Sequence, residues 1–236
     1  MANDQYVFEP TPVFSLPIEG SEQRFPIRRI FCVGRNYHAH AIEMQRPVDK
    51  ATSRPFYFIK DASTTVESGA SVAYPPGTRD YQYEMELVVA IGAPGFRVAE
   101  SEAEGLIFGY CTGLDMTRRD LQLVARESGR PWDLGKDFEQ SAVFSPIKPR
   151  GELGVVKGGA IHLEVNGVIK QSSTIDKLIW DIPELLADLS SFYHLQQGDL
   201  IMTGTPEGVG PVLAGDRITG GVEGIGSIEL NITAAE

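Results

Sequence analysis

Cysteine is scarce in this 236-residue chain: only Cys32 and Cys111 occur, both in apolar surroundings and neither beside a second Cys or His at zinc-ligand spacing. That excludes a disulfide framework and a zinc ribbon, and both thiols are expected to be small buried hydrophobes. Basic clusters are missing as well. Lys and Arg number 21 against 32 Asp and Glu, a formal net charge of −11, and no basic run exceeds two residues. A nucleic-acid backbone or an anionic membrane surface therefore finds no electrostatic footprint here. Apolar runs such as Leu87–Phe96 and Gly105–Leu114 fall far short of the ~20 residues that span a bilayer. Residues Met1–Tyr6 carry neither a basic n-region nor an apolar h-region, and a cytoplasmic protein is expected.

Glycine and proline are plentiful, at 25 and 15 residues, above the roughly 12% typical of globular chains, and they favour turns and short strands over long helices. A hydrophobic fraction of 42% with 9% aromatics supports a sizeable core, and the length suits one large domain or two small ones. Residues 1–26 lack a sustained period and read as an N-terminal arm; residues 27–236 read as one domain. Strands are expected at Arg29–Val33, Phe56–Ile59, Tyr83–Ile91, Ile107–Leu114, Ile161–Val165, Val168–Ile169, Leu200–Met202, Asp216–Thr219 and Gly226–Ile232. Helical patterns occupy His38–Met44, Glu100–Gly105, Thr117–Glu127 and Ile182–Phe192, the last with Leu185, Leu186 and Leu189 as its apolar stripe. Asn166-Gly167 between two strand-like runs signals a two-residue hairpin.

Three groups of side chains could carry chemistry. Glu84 and Glu86 stand at i and i+2 in a strand, so both carboxylates project from one face while Met85 points to the other. An isolated Glu-x-Glu also fits the exposed face of an edge strand. The run continues, however, into Leu87–Ile91, whose unbroken apolar character suits a strand covered on both sides, where neighbouring carboxylates must protonate or share a cation. With Asp115 ending the next strand, an all-oxygen donor set points to Mg²⁺ or Mn²⁺ rather than zinc. His40 and Glu43, one helical turn apart, could hydrogen-bond and form a general base, or be two solvated residues of a surface helix. His38 faces elsewhere. Lys136, in the turn-rich Pro131–Lys136 beside Trp132, could bind an anion or stabilise an enolate, although a lone lysine also suits solvent. The Gly204–Gly210 loop lacks the Lys-Ser/Thr ending of a phosphate loop, but its hydroxyls and N–H groups could hold a carboxylate or carbonyl oxygen.

Six segments in order, Phe31–Tyr37 (FCVGRNY), His40–Met44 (HAIEM), Tyr83–Leu87 (YEMEL), Leu114–Asp120 (LDMTRRD), Pro131–Lys136 (PWDLGK) and Met202–Gly210 (MTGTPEGVG), resemble the fumarylacetoacetate hydrolase family from about Phe25 onward. The resemblance implies a β-rich α+β fold, a mixed β-sheet roll of the family's C-terminal-domain type with few short helices, assembled as a homodimer. It places metal ligands at Glu84, Glu86 and Asp115, a lid-borne His–Glu pair at His40 and Glu43, and the active-site lysine at Lys136. Substrate-binding positions fall on Arg35, Arg119, Gln122 and Thr205. The implied activity is Mg²⁺-dependent (Mn²⁺ being the alternative) hydrolysis of the C3–C4 bond of a 2,4-dioxo acid. The short arm lies nearer the small acylpyruvase-type members, with fumarylpyruvate as the leading substrate, in the step after gentisate ring cleavage and isomerisation. Oxaloacetate decarboxylation and isomerisation or decarboxylation of 2-oxohept-3-enedioate-type compounds stand as alternatives on the same site, as does a metal-binding protein without turnover.

Overall fold

The computed structural model of the chain describes residues 6–236; residues 1–5 of the expected arm lie outside the described residues. Two sheets dominate. The larger runs in the order Phe56–Lys60, Arg29–Gly34, Asp199–Met202, Met85–Ile91, Ile107–Asp115, Ala142–Phe144 and Thr65–Glu67, with Lys148–Pro149 also paired to Ile107–Asp115. It is mixed: Asp199–Met202 lies parallel to Arg29–Gly34, and Ala142–Phe144 parallel to Thr65–Glu67, among antiparallel neighbours. The second sheet, in the order Val168–Thr174, Ala160–Val165, Arg217–Val222, Gly226–Thr233 and Ala70–Ala73, curls over the first to complete a β-roll.

The period of two explains why the central strand is apolar throughout. Leu87, Val89 and Ile91 enter the main core with Leu163, Ile218 and Ile228 of the second sheet, whereas Val88 and Ala90 face a second core with Leu16, Phe25 and Ile27. Leu16 and Phe25 sit opposite each other in the small hairpin of Ser15–Pro17 with Arg24–Pro26. The arm thus covers a sheet face that would otherwise meet water. Cys32, Cys111 and Met202 share that second core, and both cysteines are free thiols, fully buried as expected.

Four α-helices occur among the described residues: α1 (His38–Glu43), α2 (Arg119–Glu127), α3 (Asp133–Lys136) and α4 (Ile182–Ser190). Helix α4 starts at a reciprocal cap between Asp181 and Glu184 and buries Leu185, Leu186 and Leu189, a cap that satisfies otherwise orphaned N–H donors. Asn166 and Gly167 both have positive φ, 53° and 76°, as a two-residue hairpin turn requires. Three expectations shift. The strand expected over Tyr83–Ile91 breaks at Glu84, because Tyr83 belongs to Tyr81–Tyr83 in a separate three-stranded sheet and only Met85–Ile91 joins the larger one. Thr117 and Arg118 belong to a short strand paired with Tyr81 and Gln82, so the helix starts only at Arg119. Glu100–Leu106 is a 3-10 rather than an α-helix.

Close backbone approach fixes Gly109, where an added Cβ would lie 2.3 Å from the Lys148 carbonyl oxygen. Gly109→Ala is expected to lower stability by ~1–3 kcal/mol through overpacking against backbone. A urea midpoint equal to that of the wild type would contradict this packing.

Candidate active site

Glu86 pairs across the ladder with Gly113, and Met85 with Leu114, which brings Glu84 and Asp115 together beyond the last rung. The Asp115 N–H donates to the Glu84 carbonyl at 2.9 Å. All three carboxylates are buried, and one oxygen from each lies within 4.8 Å of the others. Glu86 shares its strand face with Val88 and Ala90, and Asp115 shares its face with Cys111. The acidic cluster therefore continues the dry inner face of the arm-side core, and the solvated edge-strand alternative fails.

Three cations hold this cluster. The Lys136 ammonium donates to Glu84 Oε2 at 2.7 Å, Asp115 Oδ2 at 2.6 Å and Thr117 Oγ1 at 2.7 Å, which uses all three of its N–H bonds. Arg119 forms a very short ion pair with Glu84. Lys60, fully buried, has its ammonium 3.0 Å from Asp115 Oδ1. Its donors go to the carbonyls of Met116 and Lys136 and to Ser141 Oγ, and Asp115 Oδ1 accepts no hydrogen bond. Lys60 thus neutralises Asp115 while leaving that oxygen's lone pairs free.

These contacts set the titration. Burial works against ionisation of Glu84, but Lys136 and Arg119 outweigh it and hold this carboxyl well below the usual range. Burial also opposes the charge of Lys136, yet Asp115 and Glu84 raise it above an ordinary lysine. Glu86 differs: burial first, then the Asp115 and Glu84 charges, push it well up. Among the described residues its one hydrogen-bond donor is the Gly204 N–H, at 2.7 Å from Oε2. A hard divalent cation suits this donor set, because it would compensate the one carboxylate without a cation and take the unbonded oxygen of another.

Helix α1 places His40 over the same cavity. His40 Nδ1 lies 3.0 Å from Glu43 Oε2, and Glu43 Oε1 accepts from the Gly208 N–H at 3.0 Å. A carboxylate can only accept, so Nδ1 carries a proton, and in the neutral ring Nε2 is the nitrogen left with a lone pair. Burial tends to raise the Glu43 carboxyl, but the His40 and Gly208 hydrogen bonds bring it below its ordinary value. The cavity, about 650 Å³, is also lined by Arg35, Gln122 and Thr205. Arg119 donates from Nη1 to Gln122 Oε1 at 2.6 Å. His38 is exposed.

Several contributors were not singled out from the sequence. Gln171 donates to Thr205 Oγ1 (2.9 Å) and the Pro206 carbonyl (2.8 Å) and accepts from the Met85 N–H (3.0 Å), fixing the Thr205 loop against the carboxylate strand. Asn36 donates to the Thr203 and Trp180 carbonyls at 2.9 and 3.0 Å. Lys60 had one available signal, a lone charge ending the aromatic run Phe56–Ile59 in phase with Phe58. Asn36 sits inside the family-like segment Phe31–Tyr37, whereas Gln171 lies in an unremarkable context.

Residues 29–233 match the fumarylacetoacetate (FAA) hydrolase C-terminal family. The chain belongs to this family. Among its fumarylacetoacetate hydrolase family relatives, a fumarylpyruvate hydrolase of Ralstonia sp. is 64% identical over 82% of this chain and 100% of its own. The crystal structure of fumarylpyruvate hydrolase from Pseudomonas aeruginosa in complex with Mn²⁺ and pyruvate has a TM-score of 0.93 at 46% identity, covering 98% of this chain and 100% of that one. A mitochondrial oxaloacetate tautomerase of Homo sapiens is 35% identical over 89% of this chain and 93% of its own.

Two substitutions probe the cluster. Glu86→Gln is expected to weaken Mn²⁺ binding by roughly tenfold or more, as loss of a charged oxygen ligand implies; an unchanged calorimetric titration would contradict the ligand set. Lys60→Met removes one partner of a buried pair and is expected to cost ~3–5 kcal/mol of stability, read as a fall in denaturant midpoint. A midpoint unmoved by the substitution would mean that Lys60 does not compensate Asp115.

Proposed function

We propose that this chain hydrolyses the C3–C4 bond of a 2,4-dioxo acid, with fumarylpyruvate as substrate and pyruvate and fumarate as products. One observation carries the reading: the carboxylate-oriented His40 opens on the same cavity as an all-oxygen cation site flanked by Lys136 and Arg119. Glu84, Glu86 and Asp115 are the ligands of a divalent ion, Mg²⁺ in the cell with Mn²⁺ able to replace it. Bound there, such an ion supplies Lewis-acid polarisation of the substrate's 2-oxo group.

The chain's own residues do the rest. His40 Nε2 takes a proton from water, whose oxygen adds to C4, and Glu43 stabilises the resulting imidazolium. The C3–C4 bond breaks, its electron pair passes to C3, and a proton returned to C3 completes pyruvate. Lys136 and Arg119 present positive charge where oxyanion character grows. Arg35, Gln122 and Thr205 line the remainder of the substrate site. The Glu43 to Gly208 contact closes α1 over the reacting carbons, which excludes bulk water. The protein acts as a cytoplasmic homodimer, in the step that follows gentisate ring cleavage and isomerisation.

Oxaloacetate gives a second reading, favoured by the similarity to the oxaloacetate tautomerases. Enolisation or decarboxylation of that diacid uses the same charge stabilisation without an attacking water.

The test is pyruvate release from fumarylpyruvate, acetylpyruvate and oxaloacetate by metal-loaded protein. Fumarylpyruvate is expected to be the best substrate, and failure on all three with metal bound would defeat the reading. For His40→Ala, hydrolysis should fall roughly 10²–10⁴-fold, as for a lost general base, with Mn²⁺ binding retained; full activity in that variant would remove His40 from the chemistry.

A further inference from the structure

Four arginines line the cavity besides Arg119: Arg35, Arg46, Arg126 and Arg130. The carboxylate end of the cavity is buried, whereas Arg46 and Arg130 are exposed and Arg35 and Arg126 half-buried, which puts this cationic group at the mouth. Among the described residues none of the four forms an ion pair, although Arg24, Arg28, Arg29, Arg54 and Arg217 all do. Asp133 also lines the cavity, yet no ion pair joins it to them. In a chain with 32 acidic residues, cations kept near one another without carboxylate partners are not explained by folding.

Two of the guanidiniums are held in place, and a third arginine is fixed by its backbone. Arg35 has φ +59°, a left-handed conformation unusual for a residue other than glycine. Its guanidinium lies 5.7 Å from the centre of the Phe56 ring. Burial, followed by the charges of Arg46 and Arg126, pushes it below its ordinary value, which marks the three as electrostatic neighbours. Arg126 donates from Nη1 to the Met44 carbonyl at 3.2 Å, and its buried Nε has no partner. Arg46 follows α1, where its N–H donates to the Ala41 carbonyl at 2.8 Å.

Helix α2 supplies the spacing. Arg119, Gln122 and Arg126 recur at i, i+3 and i+7 along one face, and all three line the cavity. Arg119 pairs with Glu84 at the inner end, and Arg126 lies roughly 10 Å further along the axis at 1.5 Å per residue. An extended seven-carbon diacid spans about 7–8 Å between its end carbons, given single bonds near 1.5 Å.

We propose that Arg35, Arg46 and Arg126 form an anion subsite at the cavity mouth that, on the hydrolase reading above, receives the distal carboxylate of the substrate and selects dianionic over monoanionic 2,4-dioxo acids. Arg126 and Arg46 are its specificity-determining residues, and the carbonyl contact from Arg126 to Met44 joins occupancy of the subsite to the position of α1.

Two measurements test it. The ratio of kcat/KM for fumarylpyruvate to that for acetylpyruvate, which lacks the distal carboxylate, is expected to fall roughly 10–100-fold in Arg46→Gln/Arg126→Gln, mainly through KM, the range for lost charge-assisted hydrogen bonds. An unchanged ratio overturns the subsite. In the second, wild-type protein saturated with Mn²⁺ and pyruvate is titrated calorimetrically with fumarate and with crotonate, in which a methyl replaces one carboxylate. Fumarate is expected to bind about tenfold or more tighter, and the double variant to lose that advantage. Equal binding by the wild type, or an advantage that survives both substitutions, overturns the proposal. A wild type that prefers fumarate yet releases no pyruvate from fumarylpyruvate overturns the hydrolase reading and supports the subsite.

Discussion

Mutual repulsion among three buried carboxylates is the constraint around which the molecule is arranged. Oxygens of all three lie within 4.8 Å of one another, and two unit charges even at that outer limit repel by roughly 3–4 kcal/mol at an effective dielectric of 20. Lys60, Lys136 and Arg119 meet this cost unequally. Lys136 bridges Glu84 and Asp115, Arg119 takes the other oxygen of Glu84, and Lys60 stands behind Asp115. Among the described residues Glu86 receives only the Gly204 backbone N–H. The imbalance points the cluster's unmet negative charge into the cavity, where a divalent cation is the natural counterpart.

The fold makes that imbalance possible through strand periodicity. Alternate residues of Met85–Ile91 serve two separate cores, and the arm hairpin keeps the second of them dry. Glu86 and Asp115 end the strand faces that feed this second core, so a segment remote from the chemistry excludes water from behind the carboxylates. Above them, the Thr205 loop is tied to the same strand by Gln171 and receives Glu43 of α1 at Gly208. Helix α1, loop and acidic cluster are thus coupled through a few directional bonds.

Much of this was legible in the sequence because it is local. The i, i+2 pairing of Glu84 and Glu86, the single helical turn from His40 to Glu43, the Asn166-Gly167 turn and the leucine stripe of α4 all follow from fixed periods. Ordered motifs then brought Asp115, Lys136, Arg119, Gln122 and Thr205 to one site. What stayed hidden depends on register and on chain crossings. Lys60 reaches Asp115 although Phe56–Lys60 stands four places from Ile107–Asp115 in the strand order, a contact made by the way the sheet curls and not by any sequence period. Gln171 lies 86 residues from the N–H that it accepts. Thr117 and Arg118 read as helix because propensity cannot foresee pairing with Tyr81 and Gln82, a tertiary override of local preference.

The most direct measurement is anomalous diffraction at the manganese edge from crystals grown with Mn²⁺. The account predicts one strong peak within roughly 2.5 Å of an oxygen from each of Glu84, Glu86 and Asp115, the reach of hard-cation ligation, on the cavity side of Lys136. A manganese peak elsewhere, with these three carboxylates held only by Lys60, Lys136 and Arg119, would contradict it.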